Sequence, residues 1–412
     1  MLEGCAVGGE FEWVEGGGVT TPRGWRAGAT YAGVRMYGEE PRYDVGLLAS
    51  ERPCAVAGIF SRNAVVGAPI KYNRPRVQSG VAQAIVVNSG NANTVTGDQG
   101  DRDARRMAEL AAQRLGVDAE HVLVASTGVI GRPLPMKLLE AAIASIEPSV
   151  DGGAAFARAI MTTDTVAKHR AVRVTVDGRT YSVGGVAKGS GMVHPDMATV
   201  FCFLTTDAPC DIEWLRRTLK EAGDVSINMI DVDMDCSTSD TMLLFANGAA
   251  GGDLVGDGHP AAGPLREAID ALSIALARDL ARDGEGARTL IEVTVEGAAT
   301  LDDARKAART VISSPLVKTM VAGRDANLGR VLMAVGRSGA RVEVERTSVW
   351  IGEHCAFERG APTEVDYGVI SGAMDRDEVK VRVDLGLGPE TATAWGCDLT
   401  EEYVRINADY TT

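Results

Sequence analysis

The side chains able to do chemistry are few in this sequence, and their spacing sets aside the common devices. Imidazole chemistry is limited to His121, His169, His194, His259 and His354. The seven cysteines, Cys5, Cys54, Cys202, Cys210, Cys236, Cys355 and Cys397, are scattered and never in C-x-x-C spacing. That pattern indicates neither a disulfide framework nor a zinc knuckle and fits reduced thiols. Asp231, Asp233 and Asp235 open like a calcium loop, but Cys236 stands where glycine is required and Met242 occupies the last chelating position. On an extended segment the three carboxylates share one face and repel each other unless hydroxyls, amides or a cation answer them; with Ser237, Thr238, Ser239 and Thr241 at hand, a hydrogen-bonded polar cluster is expected. His354 and Cys355, adjacent on a strand, point to opposite faces, and His194, five residues before Thr199, reads as a loop histidine. Dinucleotide, P-loop and G-x-S-x-G signatures are absent.

Two places remain. Lys188 to Asp207, KGSGMVHPDMATVFCFLTTD, is a glycine-rich loop that delivers Met197, Ala198 and Thr199 into the apolar run Val200 to Leu204. A threonine at the start of a strand is ordinary by itself, because β-branched residues favour extended geometry. Upstream, the strand-like HVLVAS from His121 to Ser126 runs into Thr127, Gly128, Val129, Ile130 and Gly131. Glycines at a strand exit leave backbone N–H groups free to face a ligand.

The elements that must hold these places alternate in type. Val81 to Val87 reads as a strand stopping at the turn formers NSGNAN. Met107, Leu110, Ala111 and Leu115 fall on one helical face before Gly116, and Leu139, Ala142, Ile143 and Ile146 mark a second helix. Val172, Val174 and Val176 alternate up to the Asp177-Gly178 hairpin signal. Leu265, Ile269, Leu272, Leu276 and Leu280 give the clearest helix, and Thr289 to Val295 alternates as a strand. Hairpins beside segregated helices indicate an α+β fold, with a division near residue 290 into a core domain, 1–290, and a smaller C-terminal α+β domain, 291–412.

Composition bounds the function. The chain has 412 residues, 45% of them hydrophobic and 24% charged, as in folded globular proteins. Acidic residues outnumber basic ones 56 to 42, and a net charge of −14 argues against nucleic acid and anionic membranes as partners. The acidic, interrupted first residues are not those of a secretory signal, which points to the cytoplasm.

Taken in order along nearly the whole chain, the motifs GGVTTPRGWRAG, VVNSGNAN, ASTGVIG, IMTTDT, KGSGM, MAT, DGEGA, SPLVKT and WGCDLTEEYVRINADYTT resemble the ornithine acetyltransferase family of arginine biosynthesis. The resemblance implies a layered αββα core and a precursor that cuts itself between Ala198 and Thr199, leaving an α chain, 1–198, and a β chain, 199–412. It implies that Thr199 is then a nucleophile, with its own α-amine as base, in acetyl transfer from N-acetylornithine to glutamate. It places an oxyanion hole at Thr127 and Gly128 and substrate contacts at Thr162, Lys188, Thr199, Glu285, Asn407 and Thr412. It further implies an α2β2 assembly, no metal or organic cofactor, and acetyl-CoA as an additional co-substrate in some members. The chain departs from the family pattern at Ala326 and Leu328 within GRDANLGR, where the family has Pro and Trp. It departs again at Met234, Asp235 and Cys236, where the family has Gly-Asp-Thr, and at Ser239 and Val200. A threonine-nucleophile aminopeptidase or amidohydrolase is the alternative enzyme, and a non-catalytic binding protein on the same scaffold is the third reading.

Overall fold

The computed structural model describes residues 11–34, 41–194 and 200–409, so Ala198, Thr199 and Thr412 lie outside the described residues. A nine-stranded sheet has the order Phe11–Trp13, Lys168–Val176, Arg179–Lys188, Phe201–Thr206, Thr241–Ala246, Val45–Phe60, Val81–Asn91, Val122–Val129, with Trp25–Thr30 also on Val45–Phe60. The long strand Val45–Phe60 serves two layers. Its first half pairs with Trp25–Thr30 and Val81–Asn91, its second half pairs with Thr241–Ala246, and the register shifts between Ala49 and Cys54. An irregularity of that kind adds twist and turns a strand into a new direction.

Side-chain alternation shows the result of that turn. Val45, Leu47, Ala84, Val86, Val122 and Val124 face the helices Gly97–Leu115 and Met136–Ser145 through Met107, Ala108, Ala111, Leu139 and Ile143. The opposite face of the same strands, Leu48, Ile85, Val87, Leu123 and Ala125, packs with Phe201, Phe203, Leu243, Phe245 and Val186. The far face of that second layer, Cys202, Leu204, Met242 and Leu244, meets the helices Ile212–Val225 and Ala262–Arg282. Helix, strand, strand and helix layers follow one another, an αββα arrangement within an α+β fold. Burial drives it, because each strand carries apolar residues on both faces and each needs a cover.

A seven-stranded sheet, in the order Ala361–Pro362, His354–Glu358, Ser348–Ile351, Glu378–Asp384, Leu290–Ala298, Glu390–Cys397, Ile230–Asp231, forms the C-terminal part. Helix Leu301–Ile312 covers Ile291, Val293 and Val295, and helix Ala262–Arg282 reaches the other face through Arg278, which pairs with Glu292 and Glu378. We propose the division near residue 290 for these two sheets, with Ile230–Asp231 crossing it by pairing in parallel with Trp395 and Gly396.

One element differs from the sequence reading. The strand Val81–Asn91 continues through Asn88, Ser89 and Gly90 instead of stopping at them, in parallel register with Ser126, Thr127 and Gly128. Tertiary partners override the turn preference. Ser126 Oγ donates to Asn88 Oδ1 at 2.6 Å, and Asn88 Nδ2 donates to the Asn91 carbonyl at 2.9 Å, so the Asn88 amide is satisfied inside the sheet, while the buried Ser89 Oγ has no hydrogen-bond partner among the described residues.

Candidate functional site

Strand pairing brings the two sequence regions together. Phe201–Thr206 pairs with Thr241–Ala246 on one side and Arg179–Lys188 on the other, and Val200 accepts a hydrogen bond from Thr241 N at 3.0 Å. At that end lies a cavity of about 120 Å³, lined by Thr127, Gly128, Thr162, Lys188, Glu285 and Asn407 together with Val200, Asp233, Asp240 and Tyr403. The structure therefore gathers all six of the sequence-derived site residues that it describes around the residue that follows Thr199. Thr199 itself, Ala198 and Thr412 are outside the described residues.

Gly128 is where the backbone, not a side chain, sets the wall. Its φ is +127°, and a Cβ built there would stand 2.4 Å from the Gly90 carbonyl carbon and 2.6 Å from Asn91 N. Only glycine permits both that torsion and that approach of two strands. Lys188 is 8% exposed, donates from Nζ to Thr162 Oγ1 at 3.3 Å, and lies 5.5 Å from the Phe201 ring centroid. Glu285, 6% exposed, accepts from Asn407 Nδ2 at 2.7 Å. The neighbouring Gly286, at φ +72°, admits the C-terminal helix Glu401–Asp409, since a Cβ there would meet Tyr403 N at 2.5 Å. That close packing carries Asn407 over Glu285.

Several residues that hold the site were not singled out by sequence. Asp164 Oδ2 accepts from Thr162 N at 2.9 Å and its Oδ1 from Gly189 N at 2.7 Å. Burial raises the Asp164 carboxyl, but Lys168 and then Lys188 outweigh it and leave its pKa at about 2. Asp240 is 2% exposed, lines the cavity, and leaves its Oδ2 unpartnered. Burial pushes its pKa well above the usual carboxylate range despite the charge of Lys188. Lys168 Nζ also meets Asp283 Oδ2 at 2.5 Å; the motifs IMTTDT and DGEGA contain Asp164 and Asp283, a signal that could have found them, whereas nothing marks Lys168.

The acidic run forms the expected hydrogen-bonded polar cluster, with donors other than the nearby hydroxyls. Asp233 accepts from Met192 N at 2.6 Å, Val193 N at 2.9 Å and Tyr403 Oη at 3.3 Å. Asp231 takes His194 Nδ1 at 2.8 Å and Met234 N at 3.2 Å, and pairs with Lys318 Nζ at 3.1 Å. Backbone amides, an imidazole, an ammonium and the Tyr403 phenol stand in for the hydroxyls of Ser237, Thr238, Ser239 and Thr241, because the segment folds back against residues 192–194. Among the described residues no group of three histidines, cysteines or carboxylates is placed to hold a metal ion. His194 bridges two segments, with Nδ1 2.8 Å from Asp231 Oδ1 and Nε2 3.4 Å from Arg309 Nη2. Neither Ala326 nor Leu328 lines the cavity; Leu328 is buried in the core. Met234, at a family glycine position, has φ +66° and is 48% exposed.

A family model described as the ArgJ family matches residues 26–412. The arginine biosynthesis bifunctional protein ArgJ of Symbiobacterium thermophilum is 50% identical over 404 residues, covering 98% of this chain and 100% of its own. The protein of the same name from Dehalococcoides mccartyi is 45% identical over 396 residues, covering 96% and 98%. A crystal structure of argJ from Bacillus halodurans is 39% identical and covers 51% of this chain and 98% of its own, with a TM-score of 0.49. No described helix is long and apolar enough to cross a membrane.

Proposed function

Since the chain belongs to the ArgJ family, we propose that it is a self-processing acetyltransferase that carries acetyl from N2-acetyl-L-ornithine to L-glutamate through an acyl-enzyme on Thr199. In the precursor, the Thr199 hydroxyl attacks the Ala198 carbonyl, and water then cleaves the resulting ester to give chains 1–198 and 199–412. The freed α-amine has an unperturbed pKa of about 7.7 to 8.0, so a useful fraction is neutral and can take the hydroxyl proton. Thr199 Oγ next bonds to the acetyl carbon, the bond to the ornithine nitrogen breaks, and the proton passes to that nitrogen. Attack by the glutamate amine reverses these steps, releases N-acetyl-L-glutamate and returns the proton to Oγ.

Each tetrahedral intermediate carries an oxyanion, which the Thr127–Gly128 segment stabilises. Thr162 and Lys188 meet a substrate carboxylate, Glu285 meets the amino end of ornithine, and Asn407 with Thr412 closes the pocket. The cycle requires no metal or organic cofactor. The relatives' designation as bifunctional supports acetyl-CoA as a second acetyl donor. An α2β2 assembly in the cytoplasm completes the reading. One observation carries the proposal: Thr127, Gly128, Thr162, Lys188, Glu285 and Asn407, drawn from far-apart segments, line one cavity beside Val200.

Intact-mass spectrometry before and after brief exposure to N-acetylornithine tests it. The expected result is two chains meeting at Ala198/Thr199, with one acetyl group on the second chain that leaves when glutamate is added. Acetyl lost to water without glutamate would favour the amidohydrolase reading, and an uncut chain that never takes up acetyl would overturn the mechanism.

A further inference from the structure

Behind the pocket lies a buried ion cluster, none of whose members lines the cavity. Lys168, 2% exposed, places Nζ 2.6 Å from Asp164 Oδ1 and 2.5 Å from Asp283 Oδ2. Each carboxylate is also tied to a different part of the pocket wall. Asp164 accepts from Thr162 N and from Gly189 N, the residue after Lys188. Asp283 accepts from Thr165 N at 3.0 Å and from Thr165 Oγ1, and its carbonyl accepts from Ser190 Oγ at 2.6 Å. Glu285 N in turn donates to the Ser190 carbonyl at 2.9 Å.

We propose that Lys168 is a positioning residue for acetyl transfer, setting the separation between the Thr162 and Lys188 wall and the Glu285 wall of the pocket. The inference rests on the function proposed above. Burial lowers the ammonium pKa, but Asp164 and Asp283 outweigh it and keep it charged. Three charges withdrawn from water are a poor source of net stability, because apolar residues of similar volume usually serve as well or better. What an ion bridge adds is a fixed geometry between the segments it joins. Here those segments stand on opposite sides of the Ala198/Thr199 cut. Asp164 and Lys168 belong to residues 1–198 and Asp283 to residues 199–412, so the bridge holds the two walls in register after the peptide bond is gone. A pocket that grips a substrate at its carboxylate end and at its amino end from two separate walls needs such a brace, since misplacement of about 1 Å can cost on the order of 100-fold in rate.

The experiment compares full-length wild type with Lys168→Met, Lys168→Arg, Asp283→Asn and Thr165→Val. Intact mass, thermal melting, steady-state kinetics with both substrates, and calorimetric binding of ornithine are measured on each. Expected are variants that still fold and cut, with KM for N-acetylornithine and the ornithine Kd rising together, about tenfold for Asp283→Asn and about threefold for Thr165→Val. Changes in kcat should be smaller, and Lys168→Arg should recover part of the loss that Lys168→Met shows. Lys168→Met leaves two carboxylates facing each other, so its failure to fold would leave the decision to Thr165→Val, which removes a single hydroxyl. Folded, cut variants with KM and ornithine Kd within twofold of wild type would overturn the proposal, even if their melting temperatures fall. Wild-type protein that binds ornithine without transferring acetyl would instead sink the functional reading, and the binding comparison would still judge Lys168.

Discussion

Replacing Gly128 with alanine tests how closely the site depends on strand packing. The new Cβ would lie 2.4 Å from the Gly90 carbonyl carbon, 2.6 Å from Asn91 N and 2.7 Å from Gly90 Cα. Ordinary contact begins near 3.4 Å, so the paired strands must separate by about 1 Å, at a cost typical of overpacking of ~1–3 kcal/mol. The torsion of +127° adds a further ~1–3 kcal/mol for a residue with a Cβ. Stability to urea should therefore fall by about 2–6 kcal/mol. In the proposed mechanism the same displacement would move the Thr127–Gly128 backbone N–H groups away from the acyl oxygen, for which a loss of about 100- to 1000-fold in kcat is expected. Gly131→Ala is the control, since its φ is +81° yet nothing lies within 4 Å of the new Cβ. It should lose only ~1–2 kcal/mol and keep its turnover. Acetyl transfer from N-acetylornithine to glutamate, assayed well below the melting temperature of each variant, separates the two. If Gly128→Ala were to keep at least half of the wild-type kcat, the assignment of the oxyanion site to this segment would be refuted.

Asn407→Ala removes a 2.7 Å donor to the Glu285 carboxylate. A hydrogen bond to a charged group contributes about 1.5–3 kcal/mol, so KM for N-acetylornithine should rise at least tenfold, measured by steady-state kinetics. Met234→Gly relieves a left-handed torsion at an exposed position and should stabilise the protein by up to ~1 kcal/mol in chemical denaturation, with turnover unchanged. Asp240→Asn should alter the pH dependence of stability. The wild-type carboxyl, raised by burial, stays protonated in the folded state while the unfolded chain ionises near its ordinary value of 3.8. Wild type therefore loses about 1.4 kcal/mol for each pH unit above that value until the folded group ionises. The Asn variant should be the more stable of the two, by a margin that grows from pH 4 upward; urea midpoints that stay parallel across pH 4 to 7 would contradict this.

Much of the candidate site was legible in the chain because its motifs are local. Thr127 and Gly128 stand at a strand end rich in glycine, and Lys188 and Glu285 each sit among glycines that let other segments approach closely. The helical face from Leu265 to Leu280 and the alternation at Val172 to Val176 declared their elements through spacing alone. The strand through Asn88 to Asn91 did not, since turn-forming residues are held extended there by pairing with Ser126 to Val129 on the neighbouring strand.

Residue type and spacing thus determined the α+β class, the family resemblance and the residues able to bind or react. Tertiary structure alone decided which of them meet. Asp164, Lys168 and Asp283 form one ion cluster although 115 positions separate Lys168 from Asp283. Asp233 is satisfied by amides of residues 192 and 193, about forty positions away. Such pairings depend on where the layers place whole segments, and a charge's partner and its exposure to water are set by that placement.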